Sequence, residues 1–129
     1  MHPIVIVQSG LVAALRADAG LVALIGTAVF DAPPRDRRPP YVLIARHDAV
    51  QADADLSPGQ EHRILLHCWA EQPSRKAALA IAERVVAVAQ TFSASGVVLT
   101  TRSHVRTDSV IDAETGFAKA AVTLRVMSE

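Results

Sequence analysis

Between Ser74 and Phe92 apolar residues recur every three or four positions, and this pattern constrains the fold more than any other stretch of the chain. At 100° per residue, Ala78, Ile81, Ala82, Val85, Val88, Ala89 and Phe92 share one side, opposite Arg75, Lys76, Glu83, Arg84 and Gln90. Ser74 suits the N-cap. The result is a helix ~28 Å long at ~1.5 Å per residue, with an apolar stripe that must be covered by a second layer. Leu79 and Val86, seven residues apart, widen the stripe at one margin. That margin suits either contact with a neighbouring subunit or deeper burial within the chain.

The C-terminal stretch supplies the second layer. From Phe117 to Met127 residues alternate, with Ala118, Ala120, Val122, Leu124 and Val126 on one face and Lys119, Thr123 and Arg125 mainly on the other. Asp112 to Gly116 has the polar and glycine content of a hairpin connection. Tyr41–Ala45 and Glu61–Ala70 read as further strands, and Val97–Thr101 and Val110–Ile111 as strand pieces around a variable stretch. Gln51 to Gln60, with Asp53, Asp55, Pro58 and Gly59, reads as an exposed loop.

Near the N-terminus, Pro3 fits a first helical turn, and Ile4, Val7, Leu11 and Leu15 follow at helical spacing through Arg16. The β-branched quartet Ile4–Val7 suits a strand equally well, and Gly10 costs a helix interior up to ~1 kcal/mol. Asp18 is placed to cap a short second helix that stops at Gly26. Four prolines between Phe30 and Tyr41 make that segment an ordered arm or loop. The expected fold is therefore α+β: a mainly antiparallel sheet packed against a long central helix, with an N-terminal helix pair. Residues 1–129 are expected to form a single domain, because no repeat or shift in composition divides them.

Thirteen basic residues balance thirteen acidic ones. This removes the general attraction to phosphate that drives nucleic-acid binding, and no polybasic anchor for a membrane is present. A lone cysteine, Cys68, allows no internal disulfide and fits a reducing cytoplasm. Neither a signal peptide nor a run of ~20 apolar residues is evident.

Chemistry-bearing residues are few. His62, His67 and Cys68 are zinc-ligand types, but strand alternation puts His62 and Cys68 on one face and His67 on the other. Cys68 among Ile64, Leu66 and Ala70 reads as a buried structural thiol, not an activated nucleophile. Asp53 with Asp55, and Asp112 with Glu114, pair carboxylates suited to Mg²⁺ or Ca²⁺, yet acids in such loops ordinarily face solvent. No phosphate-binding or nucleophile-elbow motif occurs. No catalytic, cofactor or metal residue and no enzymatic activity is expected. Arg35, Arg37 and Arg38, held between prolines, suit a partner's carboxylates at reduced entropic cost, or a solvated loop.

The order of segments resembles the tail-completion, or tail-terminator, family of long-tailed phages, prophages and gene transfer agents. Carrying the resemblance are Leu15-Arg16-Ala17-Asp18, Leu21-Val22-Ala23-Leu24-Ile25-Gly26 and Val29-Phe30-Asp31-Ala32-Pro33-Pro34. Pro39-Pro40-Tyr41-Val42-Leu43-Ile44, the segment from Gly59 to Trp69 and the alanine-rich helix from Ser74 continue it. The resemblance implies a subunit of a hexameric ring at the head-proximal end of the tail tube. Such a ring stops tube growth and offers a surface to the head. Implied partners are further copies of the chain, the tail tube protein and a head–tail connector or stopper. Assembly would take place in the bacterial cytoplasm, after which the ring stays with the tail. Another head–tail adaptor, a tube subunit, or a small metal or thiol enzyme are the alternatives. Arg35, Arg37, Arg38, Asp53, Asp55, Leu79, Val86 and Glu114 are the candidate interface residues, chosen by loop position and chemistry.

Overall fold

The computed structural model describes residues 1–52 and 59–129, so Asp53 and Asp55 lie outside the described residues. Helix α1 spans Pro3–Ala17 and α2 Ala19–Ile25. Strands β1 (Val29–Phe30), β2 (Tyr41–Gln51) and β3 (Gln60–Ala70) follow, then α3 (Arg75–Ala89), β4 (Leu99–Ile111) and β5 (Ala118–Ser128). The sheet runs in the order β1-β2-β3-β5-β4, antiparallel except for the short β1–β2 pair. This is the α+β architecture that the residue patterns imply.

Local signals explain the helix ends. Pro3 sits in the first turn of α1, so the N-terminal helix prevails over the strand that Ile4–Val7 would also have suited. Asp18 Oδ2 accepts from the Leu21 amide at 2.9 Å, and Ser74 Oγ accepts from the Ala77 amide at 3.1 Å. Gly26, at φ 67°, closes α2. The helix expected through Phe92 ends at Ala89 and is 15 residues long, no longer than α1. Phe92 nonetheless stays buried, on the loop beyond the helix. No single helix among the described residues is long and apolar enough to cross a membrane, and the α1–α2 pair bends by 79° at Asp18.

Strand β5 alternates without a break, its buried residues running from Ala118 through Val126 to Ser128. It pairs with β3 along the full eleven-residue register, so His62, Ile64, Leu66, Cys68 and Ala70 face the same way. All three helices pack on that face, where Val7, Leu11, Leu15, Leu21, Ile81 and Val85 meet the strands in one cluster. Two expectations change here. Strand β2 continues six residues past Ala45, and β4 is one strand instead of two pieces. Bulges after Ile44 and His104 and near Thr100 break the two-residue period that would have revealed both. Gln51 and Gln60 are therefore paired strand residues.

Gly10 has a packing reason. A Cβ there would come within 2.5 Å of Ser93 O and 2.7 Å of Ala94 Cβ, so α1 lies directly on the segment after α3. Gly10→Ala is expected to lose about 1–3 kcal/mol through this overlap, outweighing the ~1 kcal/mol that alanine gains in a helix. Urea denaturation checks this, and an unchanged or higher midpoint would contradict the packing.

Candidate functional site: surfaces left open by the fold

Sheet register separates the chemistry-bearing residues. His62 and Cys68 point into the core and His67 to the opposite face, on strand positions that alternate as expected. Burial pushes the Cys68 thiol up to about 12, which leaves it protonated and unreactive at neutral pH. Among the described residues no group of three or more His, Cys, Asp or Glu is arranged to hold a metal ion.

His62 takes part in a relay that the sequence did not reveal. Its Nδ1 lies 2.9 Å from His47 Nε2 and its Nε2 lies 3.1 Å from Ser128 Oγ. His47 Nδ1 is buried with no hydrogen-bond partner among the described residues. A buried N–H without a partner costs more than an idle lone pair, so the proton belongs on Nε2 of both rings. His47 then donates to His62, and His62 to Ser128. Three elements meet here, because Ala49 pairs with His62 and His62 with Val126 in the ladders.

The proline arm lies against the body through its arginines. Arg37 Cζ stands 5.6 Å from the Phe30 ring centre and Arg38 Cζ 5.7 Å from that of Phe117. Arg38 also approaches Glu71 at 3.5 Å, an exposed pair worth at most ~1 kcal/mol. Pro39 is buried, while Arg35 is exposed. On α3, Leu79 is 40% exposed and Val86 half-buried. Together with Ala82, Glu83, His104 and Thr107 they line a shallow groove between α3 and β4. Glu114 is exposed in the β4–β5 turn, which Asp112 organises by accepting from the Thr115 amide and hydroxyl at 3.0 and 2.7 Å. The candidates thus fall in three separate places, the arm, the α3 margin and the hairpin tip.

A larger opening runs between α1 and α3, lined by Gly10, Ala13, Ala17, Ala87 and Phe92. Arg84 closes one end by donating to Asp18 through Nη2 at 2.7 Å and Nε at 3.1 Å. Those bonds, then the Leu21 amide, hold the Asp18 carboxyl below its ordinary range. Asp18 therefore caps α2 and ties it to α3. The sheet face away from the helices carries Tyr41, Leu65, His67 and Trp69 beside Lys119, and Glu61 there accepts from Arg125 at 2.6 Å and Arg63 at 3.1 Å.

The family model described as "Tail completion protein gp17" matches residues 9–129. The chain belongs to this family. No curated protein matches it. Among solved structures, a chain from "Virion of native gene transfer agent (GTA) particle" superposes with a TM-score of 0.86 at 24% identity. The match covers all of this chain and 99% of that one, and at this identity it establishes the shared fold.

In this tail-completion family member the buried histidines give pH a defined effect. Burial, then the nearby His62, lowers His47 from 6.5 to about 4, while Asp48 pulls weakly the other way and His2 adds to the lowering. Burial, then His2, lowers His62 as well. Both rings are thus neutral in the folded chain, and unfolding lets them take up protons. The contribution of His47 is complete above about pH 6.5 and is lost as pH falls toward 4, and that of His62 is lost in the same direction. Between pH 7.5 and 5 the unfolding free energy should fall by on the order of 1–2 kcal/mol, allowing for screening of half-buried rings. His47→Gln, which keeps a donor to His62, should flatten that fall in urea titrations. An equal slope in the variant would show that His47 does not carry the pH dependence.

Proposed function

We propose that the chain is a tail terminator, a structural subunit whose ring caps the head-proximal end of a tail tube, ends its polymerisation and offers a surface for joining the head. The family match across residues 9–129 carries this reading. The fold shared with a chain of a gene transfer agent particle supports it. In this proposal the ring has six copies, and the partners are the tube protein on one side and a connector or stopper on the other. No residue acts as a catalyst. Assembly takes place in the bacterial cytoplasm, and the ring then remains in the particle.

A ring needs two different complementary patches on each subunit, because a single self-complementary patch gives only a dimer. The fold offers separated surfaces of this kind. The arm with Arg35, Arg37 and Arg38 stands beside β1 and β2, while Leu79 and Val86 border β4. Glu114 at the hairpin tip, and Asp53 and Asp55 from the loop identified in the sequence, complete the proposed set.

Light scattering and negative-stain imaging of the purified chain across concentrations test the reading. Closed rings with the mass of six chains are the expected result, either in solution or after addition of purified tail tubes. Long tubes of this chain alone would make it a tube subunit, and a monomer that never binds tubes would contradict the proposal.

A further inference from the structure

Among the described residues the sheet has two backbone edges that no further strand covers along their full length. Strand β1 pairs with β2 only at Val42 and Leu43, so from Ala45 onward no strand of the described residues covers the outer edge of β2. At the far end, β4 pairs with β5 on one side, and no strand of the described residues lies on the other. Uncovered edges are ready templates for another strand, and proteins commonly protect them with lysine or proline. Strand β4 is thirteen residues long and contains neither, and its bulges and its exposed Arg106–Asp108 pair limit which strand can join it. Val50 on β2 and Val105 and Val110 on β4 are among the most exposed large apolar residues, at 56%, 55% and 44%.

Charge repeats across the two edges. Arg46 pairs with Asp48 at 2.9 Å on β2, and Arg106 pairs with Asp108 at 2.9 Å on β4. The ladders place all four on the sheet face away from the helices, because Arg46 opposes Leu65, Asp48 opposes Arg63, Arg106 opposes Thr123 and Asp108 opposes Ala121. Each pair is largely exposed and closes on its own strand. Strands β2 and β4 run in opposite directions, since three antiparallel pairings separate them. A second copy in the same orientation would therefore bring its β2 antiparallel to β4, the arrangement in which two Arg-x-Asp pairs become complementary.

We infer that β4 of one subunit pairs antiparallel with the Ala45–Val50 edge of β2 in the next copy, with Arg106 opposite Asp48 and Asp108 opposite Arg46. The inference rests on the ring reading above and names its seam. The charged run is free of bulges and is flanked by them, with Val105 at one end and Ala45 at the other. Beyond Val105 the register continues with His104 opposite Ala49 and Ser103 opposite Val50, and each pair shares a sheet face. The seam is heterologous, joining two different edges, so repetition closes a ring or extends a filament. It also gives the α3 margin an occupant. Leu79, Val86, His104 and Thr107 line the groove on the helix side of β4, and α1 packs on β2, so the neighbour's β2 and α1 would cover that groove.

Charge reversal tests the register in the full-length chain, read by mass and imaging in solution or on tail tubes. Arg106→Asp or Asp48→Arg alone puts like charges together and should weaken assembly at least ~10-fold. The double variant makes one edge acidic and the other basic, and should restore assembly to within ~3-fold. Independently, Ser103→Cys with Val50→Cys places directly opposed Cβ atoms ~4.5–5.5 Å apart, within disulfide reach. Oxidation should give a covalent ladder up to six chains, and buried Cys68 should not compete. Should the single reversals fail to fold, the double variant and the cysteine pair decide the matter. Rings that form despite every reversal and yield no ladder would overturn the seam while leaving the ring reading intact. Failure of the unmodified chain to assemble, even on tubes, would remove both.

Discussion

The eleven-residue ladder between β3 and β5 is the constraint on which the rest of the structure depends. Because side chains alternate along both strands, fixing this register decides at once which residues face the helices. A slip by one position would turn Ile64, Leu66, Val122 and Leu124 outward and bring Arg63, Thr123 and Arg125 into the core. With the register set, α1, α2 and α3 have one surface to cover, and they meet there in a single cluster. Everything offered to partners lies outside that layer. The open sheet face, the two edges, the arm and the margin of α3 are what remain once the core has been filled.

Elements governed by local rules were legible in the sequence. The buried face of α3 could be named residue by residue, the alternation of β5 is regular, and Asp18 and Ser74 cap the helices they precede. Such features depend on spacing within one segment. What escaped depends on pairing between distant segments. Strand β2 beyond Ala45 and the middle of β4 are exposed and polar, and their bulges shift the period, so no apolar alternation announces them. Two-residue β1 is too short to carry a pattern. The contact of His47, His62 and Ser128 joins three strands, and only the fold brings them together.

Interface chemistry was less legible than the core, for a physical reason. A core residue is identified by what it avoids, while an interface residue is identified by its partner, which lies on another molecule. Loop position drew attention to Arg35, Arg37 and Arg38, and two of these contact aromatic rings of their own chain. The repeated Arg-x-Asp at 46–48 and 106–108 was present in the sequence, but its meaning needs the sheet order that makes these strands the two edges. A sheet whose edges no further strand of the described residues covers, with a helix layer on one face, is suited to joining others side by side. In a tail-completion family member such joining would set the size of the assembly.

Cryo-electron microscopy of purified tail tubes mixed with this chain would show where its copies sit. One ring of six copies is expected at a single end of each tube, with no further growth there when tube protein is added. Copies spread along the tube wall, or tubes that lengthen from both ends in the presence of saturating chain, would contradict the terminator role.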